Sequence, residues 1–348
     1  FFTDDDAGVG AESTFANVVL STGDAPEPAP AQALTPISDP APDPVDEAQA
    51  MGVVQRVAEL DHEARTVEFH DAMELTDAIV FVTPPTFEGT QAASVALEEV
   101  TATGATMAIH EPGYLDGWHM EEDLAMLALE AGSWSLADGS RLEVGSLTLD
   151  AGRTERFASV TFDEAFVEAP AILVQLQSSN GADWAVLRTR DVTTTGFEVA
   201  LQEQEASDGL HEAEIVGWAA LDAAAADGVV DWSGVAAQFF AAERLVDHAG
   251  GAMAFDAALG PDALIAAGIS SFHGPDTATL RLTETWAEGD QTIAEFLVQE
   301  EQSRDSETEH VLEDIAGIGF AKEGVLSAQP TAADLDLVDA MSAYMDIG

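Results

Sequence analysis

An internal repeat of about 92 residues constrains this 348-residue chain most, because a repeated unit bears on both fold class and domain count. Landmark residues recur at a shift of 92: Gly89 and Gly181, Thr101–Gly104 and Thr193–Gly196, Asp116–Gly117 and Asp208–Gly209, His119 and His211, Glu122 and Glu214. A third, degraded copy follows at about 93, where Phe162, Gly181 and Gly196 recur as Phe255, Gly274 and Gly289. So many landmarks at one offset predict three copies of one structural unit.

Each copy has the pattern of β-strands. Phe197, Val199 and Leu201 alternate with less apolar residues, the period of two that is typical of a half-buried strand. Residues 214–221 are apolar on both faces beyond Glu214, and Asp208–Gly209 is predicted to supply the turn between these two strands. Residues 236–246 fit a short helix or a strand equally well. The prediction is an all-β chain of three tandem antiparallel β-sandwich modules, at 48–142, 143–234 and 235–328.

Both ends of the chain lie outside the repeats. Residues 1–24 are predicted to be an N-terminal arm, residues 25–47 a proline-rich extended linker, and residues 329–348 a C-terminal tail. Because the arm and the tail carry apolar residues, we expect a partner to cover them. The arm is predicted to mediate self-association by adding a strand to another molecule's open sheet edge. The alternative is that it folds back on its own modules.

The charge balance excludes some partners and predicts an environment. The chain has 65 acidic and 11 basic residues, a formal charge of −54, which is opposite to what nucleic acids or anionic membrane surfaces attract. The sequence contains no uninterrupted run of 18 apolar residues, so it is not expected to insert into a membrane. Carboxylate repulsion of this size must be offset by salt or bound cations, so we expect a protein adapted to high salt. The absence of cysteine leaves the redox compartment open, and the start at Phe1 predicts a mature or cleaved product.

The second copy resembles a known family. Its spaced apolar and turn residues resemble the H-type lectin module and related repeats of large secreted proteins from marine bacteria: Val160–Phe162, Phe166, Pro170, Val174, Val192–Phe197 and Val216–Ala219. The first copy departs from this pattern at Ala105 and Leu127, and the third departs further. The resemblance implies a six-stranded sandwich that forms trimers. Three modules on one chain could form that trimer internally with pseudo-threefold symmetry, or lie as a row of beads.

The resemblance also points to ligand-binding residues. In lectins of this kind an arginine in the groove between modules contacts the sugar, and Arg188 recurs here as Arg281, whereas the first module has Ala96. Alternation places Arg281 on the outer face of its strand. We therefore take a glycan, or another cell-surface partner, as the candidate ligand of these residues: Arg188, Arg281, Trp184, His119 and His211. The alternative for the arginines is an intermodule salt bridge. Trp184, Trp118 and Tyr114 are candidate stacking platforms on loops, and Trp134, Trp218 and Trp232 are predicted to be core.

A recurring carboxylate pair is the candidate calcium site. A glutamate precedes an aspartate by five residues in each module, as Glu111 and Asp116, Glu203 and Asp208, and Glu300 and Asp305. Calcium needs six to eight oxygens, which two carboxylates only begin to supply. The alternatives are a glutamate that accepts backbone hydrogen bonds from the following loop, or one that contacts a sugar hydroxyl. The motif Asp-Gly-x-His-x-x-Glu predicts a histidine–carboxylate pair more than a transition-metal site, since residues three apart on a strand point to opposite faces.

No catalytic motif is present, so the chain is predicted not to be an enzyme. The leading hypothesis is an extracellular or cell-surface structural or adhesive protein with lectin-like modules, in which glycan binding and calcium are both candidates. The alternative is a self-assembling subunit of a filament, surface layer or virion without a glycan ligand.

Overall fold

The computed structural model describes residues 48–222, 228–256 and 259–331. These residues form antiparallel strands and contain no α-helix, which confirms the predicted all-β class; His70–Ala72 form a short 3-10 turn. The predicted N-terminal arm and proline-rich linker lie outside the described residues, as does residue 332 onward of the predicted tail.

The first sheet pair, residues 49–130, places two three-stranded sheets around one core. Its strands are β1 (Gln49–Leu60), β2 (Arg65–Glu68), β3 (Ala78–Phe81), β4 (Ser94–Thr101), β5 (Gly104–His110) and β6 (Glu122–Glu130). The back sheet has the order β1-β6-β3 and the front sheet β2-β5-β4. Val57 and Met126 of the back sheet and Leu97 and Met107 of the front sheet are buried in one apolar cluster, so burial of this core holds the two sheets together.

The second sheet pair, residues 141–221, repeats this arrangement. The strands of this region are β7 (Gly132–Ser135), β8 (Arg141–Leu149), β9 (Gly152–Arg153), β10 (Ala158–Thr161), β11 (Ala171–Leu176), β12 (Ala185–Thr193), β13 (Gly196–Glu203), β14 (Leu210–His211) and β15 (Glu214–Leu221). The back sheet contains β8-β15-β11 and the front sheet is β10-β13-β12. Phe162, Phe197 and Trp218 fill the core, with ring centroids 6.0–6.1 Å apart.

The third sheet pair, residues 235–320, has the same order again. The remaining strands are β16 (Val229–Trp232), β17 (Val235–Val246), β18 (Gly251–Phe255), β19 (Leu264–Ile269), β20 (Ala278–Glu288), β21 (Gln291–Glu300), β22 (Glu313–Phe320) and β23 (Gly324–Pro330). The back sheet contains β17-β22-β19 and the front sheet is β18-β21-β20. The stretch 236–246, which fits helix or strand by sequence, is strand because β16 and β22 pair with both of its edges.

One apolar core joins the three back sheets. Leu127, Ala219 and Ile318 occupy corresponding positions of β6, β15 and β22, and all three are fully buried in this shared core. A cavity of about 80 Å3 is lined by corresponding front-sheet segments at 93–95, 185–187 and 278–280. Strand β23 also pairs with β1 and β7, so the back sheets of the first two pairs continue into one eight-stranded sheet. This packing differs from a row of separate beads.

The predicted turn at Asp208–Gly209 is wrong in one respect. Gly209 has the expected positive φ of 72°. However, β13 and β15 belong to different sheets, so residues 204–213 cross from the front sheet to the back sheet instead of closing a hairpin. The physical reason is the length of the connection, because residues 204–213 exceed the two to about five residues of an ordinary hairpin loop.

Candidate functional site: buried arginine–glutamate–histidine clusters

Each crossing from front sheet to back sheet carries a buried glutamate–histidine–glutamate cluster. In the second sheet pair, Glu203 ends β13, Glu214 begins β15, and His211 lies between them. His211 Nδ1 is 2.9 Å from Glu203 Oε1, and His211 Nε2 is 3.3 Å from Glu214 Oε1. His211 lies before β15 begins. The rule that residues three apart on one strand point to opposite faces therefore does not apply to His211 and Glu214. The predicted histidine–carboxylate pair is present.

The other two sheet pairs have the same cluster. His119 bridges Glu111 and Glu122 at 2.9 and 3.1 Å. His310 bridges Glu300 and Glu313 at 2.5 and 3.0 Å. Sequence reasoning missed His310 because its loop is longer and the histidine no longer falls at the repeat offset. The retained signal was the spacing His-x-x-Glu, which also links His119 to Glu122 and His211 to Glu214.

The second glutamate of each cluster is fixed by a hydroxyl and two backbone amides of the loop before the front-sheet strand. Glu122 accepts hydrogen bonds from Thr86 Oγ1 at 2.6 Å and from the backbone N–H of Gly89 at 2.9 Å. The same contacts recur at the corresponding residues: Ser178 and Gly181 for Glu214, and Ser271 and Gly274 for Glu313. A Cβ at Gly89, Gly181 or Gly274 would lie within 2.7 Å of the histidine ring, which accounts for this repeated glycine.

The two repeated arginines cross from one sheet pair to the next. Arg188 Nη2 lies 2.6 Å from Glu313 Oε1, and Arg281 Nη2 lies 2.6 Å from Glu122 Oε1. Their side chains are 1% and 0% exposed. Each arginine also donates to backbone carbonyls of the neighbouring pair, those of Gly274 and Asp276 for Arg188 and those of Thr86, Gly89 and Gln91 for Arg281. Each arginine lies on the outer face of its own strand, where the neighbouring sheet pair buries it. The contact is an ion pair between sheet pairs, which is the alternative considered for these arginines.

The clusters change the ionisation of their members. Burial by itself would raise the pKa of Glu313, but His310, Arg188, Ser271 and the Gly274 amide together lower it to about 2. Burial would raise the pKa values of Glu122 and Glu214 too, but hydrogen bonds, and at Glu122 also the charge of Arg281, lower them. The hydrogen bond with Glu214 raises the pKa of His211, and hydrogen bonds with Glu313 and Glu300 raise that of His310 against the effect of burial. At His211 and His310 the neighbouring carboxylates therefore favour the protonated ring, whereas burial raises the pKa of Glu300.

The structure assigns turn-forming contacts to the predicted calcium residues. Asp116, Asp208 and Asp305 are exposed, and each accepts a hydrogen bond from the backbone N–H two residues later. Glu203 accepts one from Gly209, which is the alternative considered for this glutamate. Within the described residues, the group of three acids whose spacing could hold a metal ion is Asp276, Glu300 and Glu307, with oxygens within 4.8 Å of one another. It includes Glu300 but none of the three aspartates.

The aromatic candidates divide into exposed and buried residues. Trp118 and Tyr114 are 56% and 41% exposed. Trp184 is buried at 7% exposure, and its Nε1 donates to the carbonyl of His110 at 3.1 Å. The predicted core positions of Trp134, Trp218 and Trp232 are confirmed by exposures of 7% or less.

No helix in the part of the chain that the structure describes has the length and apolar character needed to cross a bilayer.

Comparisons with known proteins give one partial similarity. No protein-family model matches the chain. No solved structure matches it. The chain is 25% identical to halomucin of Haloquadratum walsbyi over 107 residues, which are 30% of this chain and 1% of halomucin. The chain is therefore similar to halomucin over about a third of its own length and a very small part of that protein.

Proposed function

We propose that this chain is a non-enzymatic extracellular structural protein that works in high salt, built from three H-type-lectin-like sandwiches in a pseudo-threefold arrangement. The observation that carries the proposal is that buried arginines fill two of the grooves between the sheet pairs. In the lectins that the chain resembles, an arginine in such a groove contacts the sugar. Here Arg188 and Arg281 are buried against Glu313 and Glu122, so two of the grooves serve cohesion of the scaffold.

The location and the environment rest on charge and on similarity. A formal charge of −54 on 348 residues favours surroundings in which salt shortens the range of carboxylate repulsion. The partial similarity to halomucin supports the same setting. The self-assembling subunit remains the alternative, and its predicted connector lies in residues 1–47, outside the described residues.

Immunolabelling of the cells that make this protein tests its location. Antibodies raised against the folded chain should label intact, unpermeabilised cells kept in their own growth salt. Labelling that appears only after permeabilisation would contradict an extracellular role. A glycan array probed at 2 M salt separates structure from adhesion, because the structural proposal expects the wild type and Arg188→Ala to give the same weak signal. Sugar binding that Arg188→Ala abolishes would favour a lectin.

Salt should stabilise the protein. Lowering the ionic strength from 2 to 0.05 M lengthens the Debye screening distance from a few ångströms to more than 10 Å, so repulsion among exposed carboxylates increases in the folded state. The expected result is a melting temperature that falls steadily as salt is removed, measured by circular dichroism at fixed pH. Sodium chloride and sodium sulfate at matched ionic strength separate screening from ion-specific effects. A flat response over this range would contradict adaptation to high salt.

A further inference from the structure

The three junctions between sheet pairs are built alike, but one of them lacks its arginine. Corresponding positions are fixed by strand register: Arg188 pairs with Ala200, Arg281 with Leu297, and Ala96 with Ala108. Arg188 of the second pair reaches the third, and Arg281 of the third pair reaches the first. At the remaining junction, between the first and second pairs, Ala96 is too short to reach Glu214.

A cavity of about 310 Å3 occupies this third junction. Its lining includes Ala96 from the first pair, and His211 and Glu214 from the second. Gly181 and Asp183 line it as well, and they correspond to Gly274 and Asp276, whose carbonyls accept hydrogen bonds from Arg188 at the filled junction. The cavity therefore keeps the carboxylate and the backbone positions that receive a guanidinium elsewhere in the same molecule.

The third junction lacks the arginine charge that the other two junctions have. At the filled junctions Arg188 and Arg281 each place a guanidinium 2.6 Å from a buried carboxylate, that of Glu313 or Glu122. Glu214 has no such partner, although its side chain is only 1% exposed. A second observation is independent of this cluster. Glu111 lines the same cavity with a side chain that is 0% exposed, and its Oε2 has no hydrogen-bond partner. A buried carboxylate oxygen without a partner is costly, so the cavity favours a cationic hydrogen-bond donor.

We propose that this cavity is a binding site for the guanidinium group of a ligand. The ligand's guanidinium takes the place of the arginine side chain that is missing at position 96. The planar guanidinium presents five N–H donors, which suits a site with carboxylate and carbonyl acceptors on several sides. Exposed Ala182 and Asp183 lie among the lining residues, so the site has a side toward solvent with an acidic residue on it. The guanidinium can belong to a free small molecule or to an arginine side chain of another protein.

Isothermal titration calorimetry of the full chain in 2 M sodium chloride tests this site. The probes are agmatine, the peptide Gly-Arg-Gly and, as an amine without a guanidinium, putrescine. The wild type should bind agmatine at one site per chain and putrescine about tenfold or more weakly. Binding of agmatine alone supports a free small molecule, and equal binding of the peptide supports an arginine side chain. No binding of either, or equal binding of putrescine, would overturn the proposal.

Two variants locate the binding. Ala96→Arg should occupy the cavity with its own guanidinium and weaken agmatine binding about tenfold or more, whereas Ala287→Arg, which adds the same charge on an exposed strand position, should leave binding unchanged. Glu214→Gln should also weaken agmatine binding and serves if Ala96→Arg does not fold, with folding checked by near-ultraviolet circular dichroism. Undiminished agmatine binding in the folded variants would overturn the assignment of the site.

Discussion

Replacement of Arg281 by alanine should lower the free energy of unfolding by about 3–5 kcal/mol, because it leaves the buried carboxylate of Glu122 without its arginine. The variant also removes hydrogen bonds to the carbonyls of Thr86 and Gln91 and to the side chain of Gln299. Urea unfolding at 2 M salt measures the change. Arg281→Lys should recover part of the loss, since lysine restores the charge but not the planar set of donors.

Arg190 provides the matched control for this experiment. It forms an ion pair with Glu198 at 2.6 Å, but its side chain is 44% exposed and stacks on Phe157. Arg190→Ala should therefore cost at most about 2 kcal/mol, and its electrostatic part should shrink at high salt. The cost of Arg281→Ala should persist at high salt, because a buried pair is little screened. If both variants cost the same at 2 M salt, the buried arginine does not secure the junction.

The protein should lose about 3 kcal/mol of stability through Glu313 alone as the pH falls from 4.5 to 2. The pKa of Glu313 is about 2 in the folded protein and near the ordinary glutamate value of 4.5 in the unfolded chain. A lowered carboxyl pKa contributes stability that is fully present above pH 4.5 and is lost as the pH falls toward the folded value. Glu122 and Glu214 act in the same direction.

Glu313→Gln isolates this effect from the general loss of carboxylate repulsion in acid. The variant should be less stable than the wild type at pH 6, and the two curves of unfolding free energy against pH should converge toward pH 2. Glu309→Gln, at an exposed position of the same loop, should follow the wild type throughout. A constant difference between the wild type and Glu313→Gln from pH 6 to pH 2 would contradict the assigned pKa.

The local parts of this fold were predictable from sequence. Alternation at Phe197, Val199 and Leu201 predicted strand β13 because a period of two depends only on neighbouring residues. The strong apolar character of residues 214–221 predicted a strand buried on both faces, which β15 is. The repeated Glu122 and Glu214 were found because their offset from the repeat landmarks is constant.

The long-range parts were not predictable in the same way. Arg281 and Glu122 are 159 residues apart, and alternation shows only that the arginine leaves its own core, not which neighbour receives it. His310 lies ten residues after Glu300, whereas His211 lies eight after Glu203, so a fixed offset cannot align them. The pairing of β23 with β1 joins the last and first strands of the described residues through main-chain hydrogen bonds, which carry no side-chain signature.

Differential scanning calorimetry at 2 M salt tests the central claim most directly, namely that three sheet pairs share one core and form one cooperative unit. The shared core predicts a single transition in which the van't Hoff and calorimetric enthalpies agree. Trp232→Ala, which removes a 1% exposed side chain from that core, should move the whole transition to lower temperature. Two or three separate transitions, with Trp232→Ala shifting only one of them, would contradict the shared core and show that the sheet pairs unfold independently.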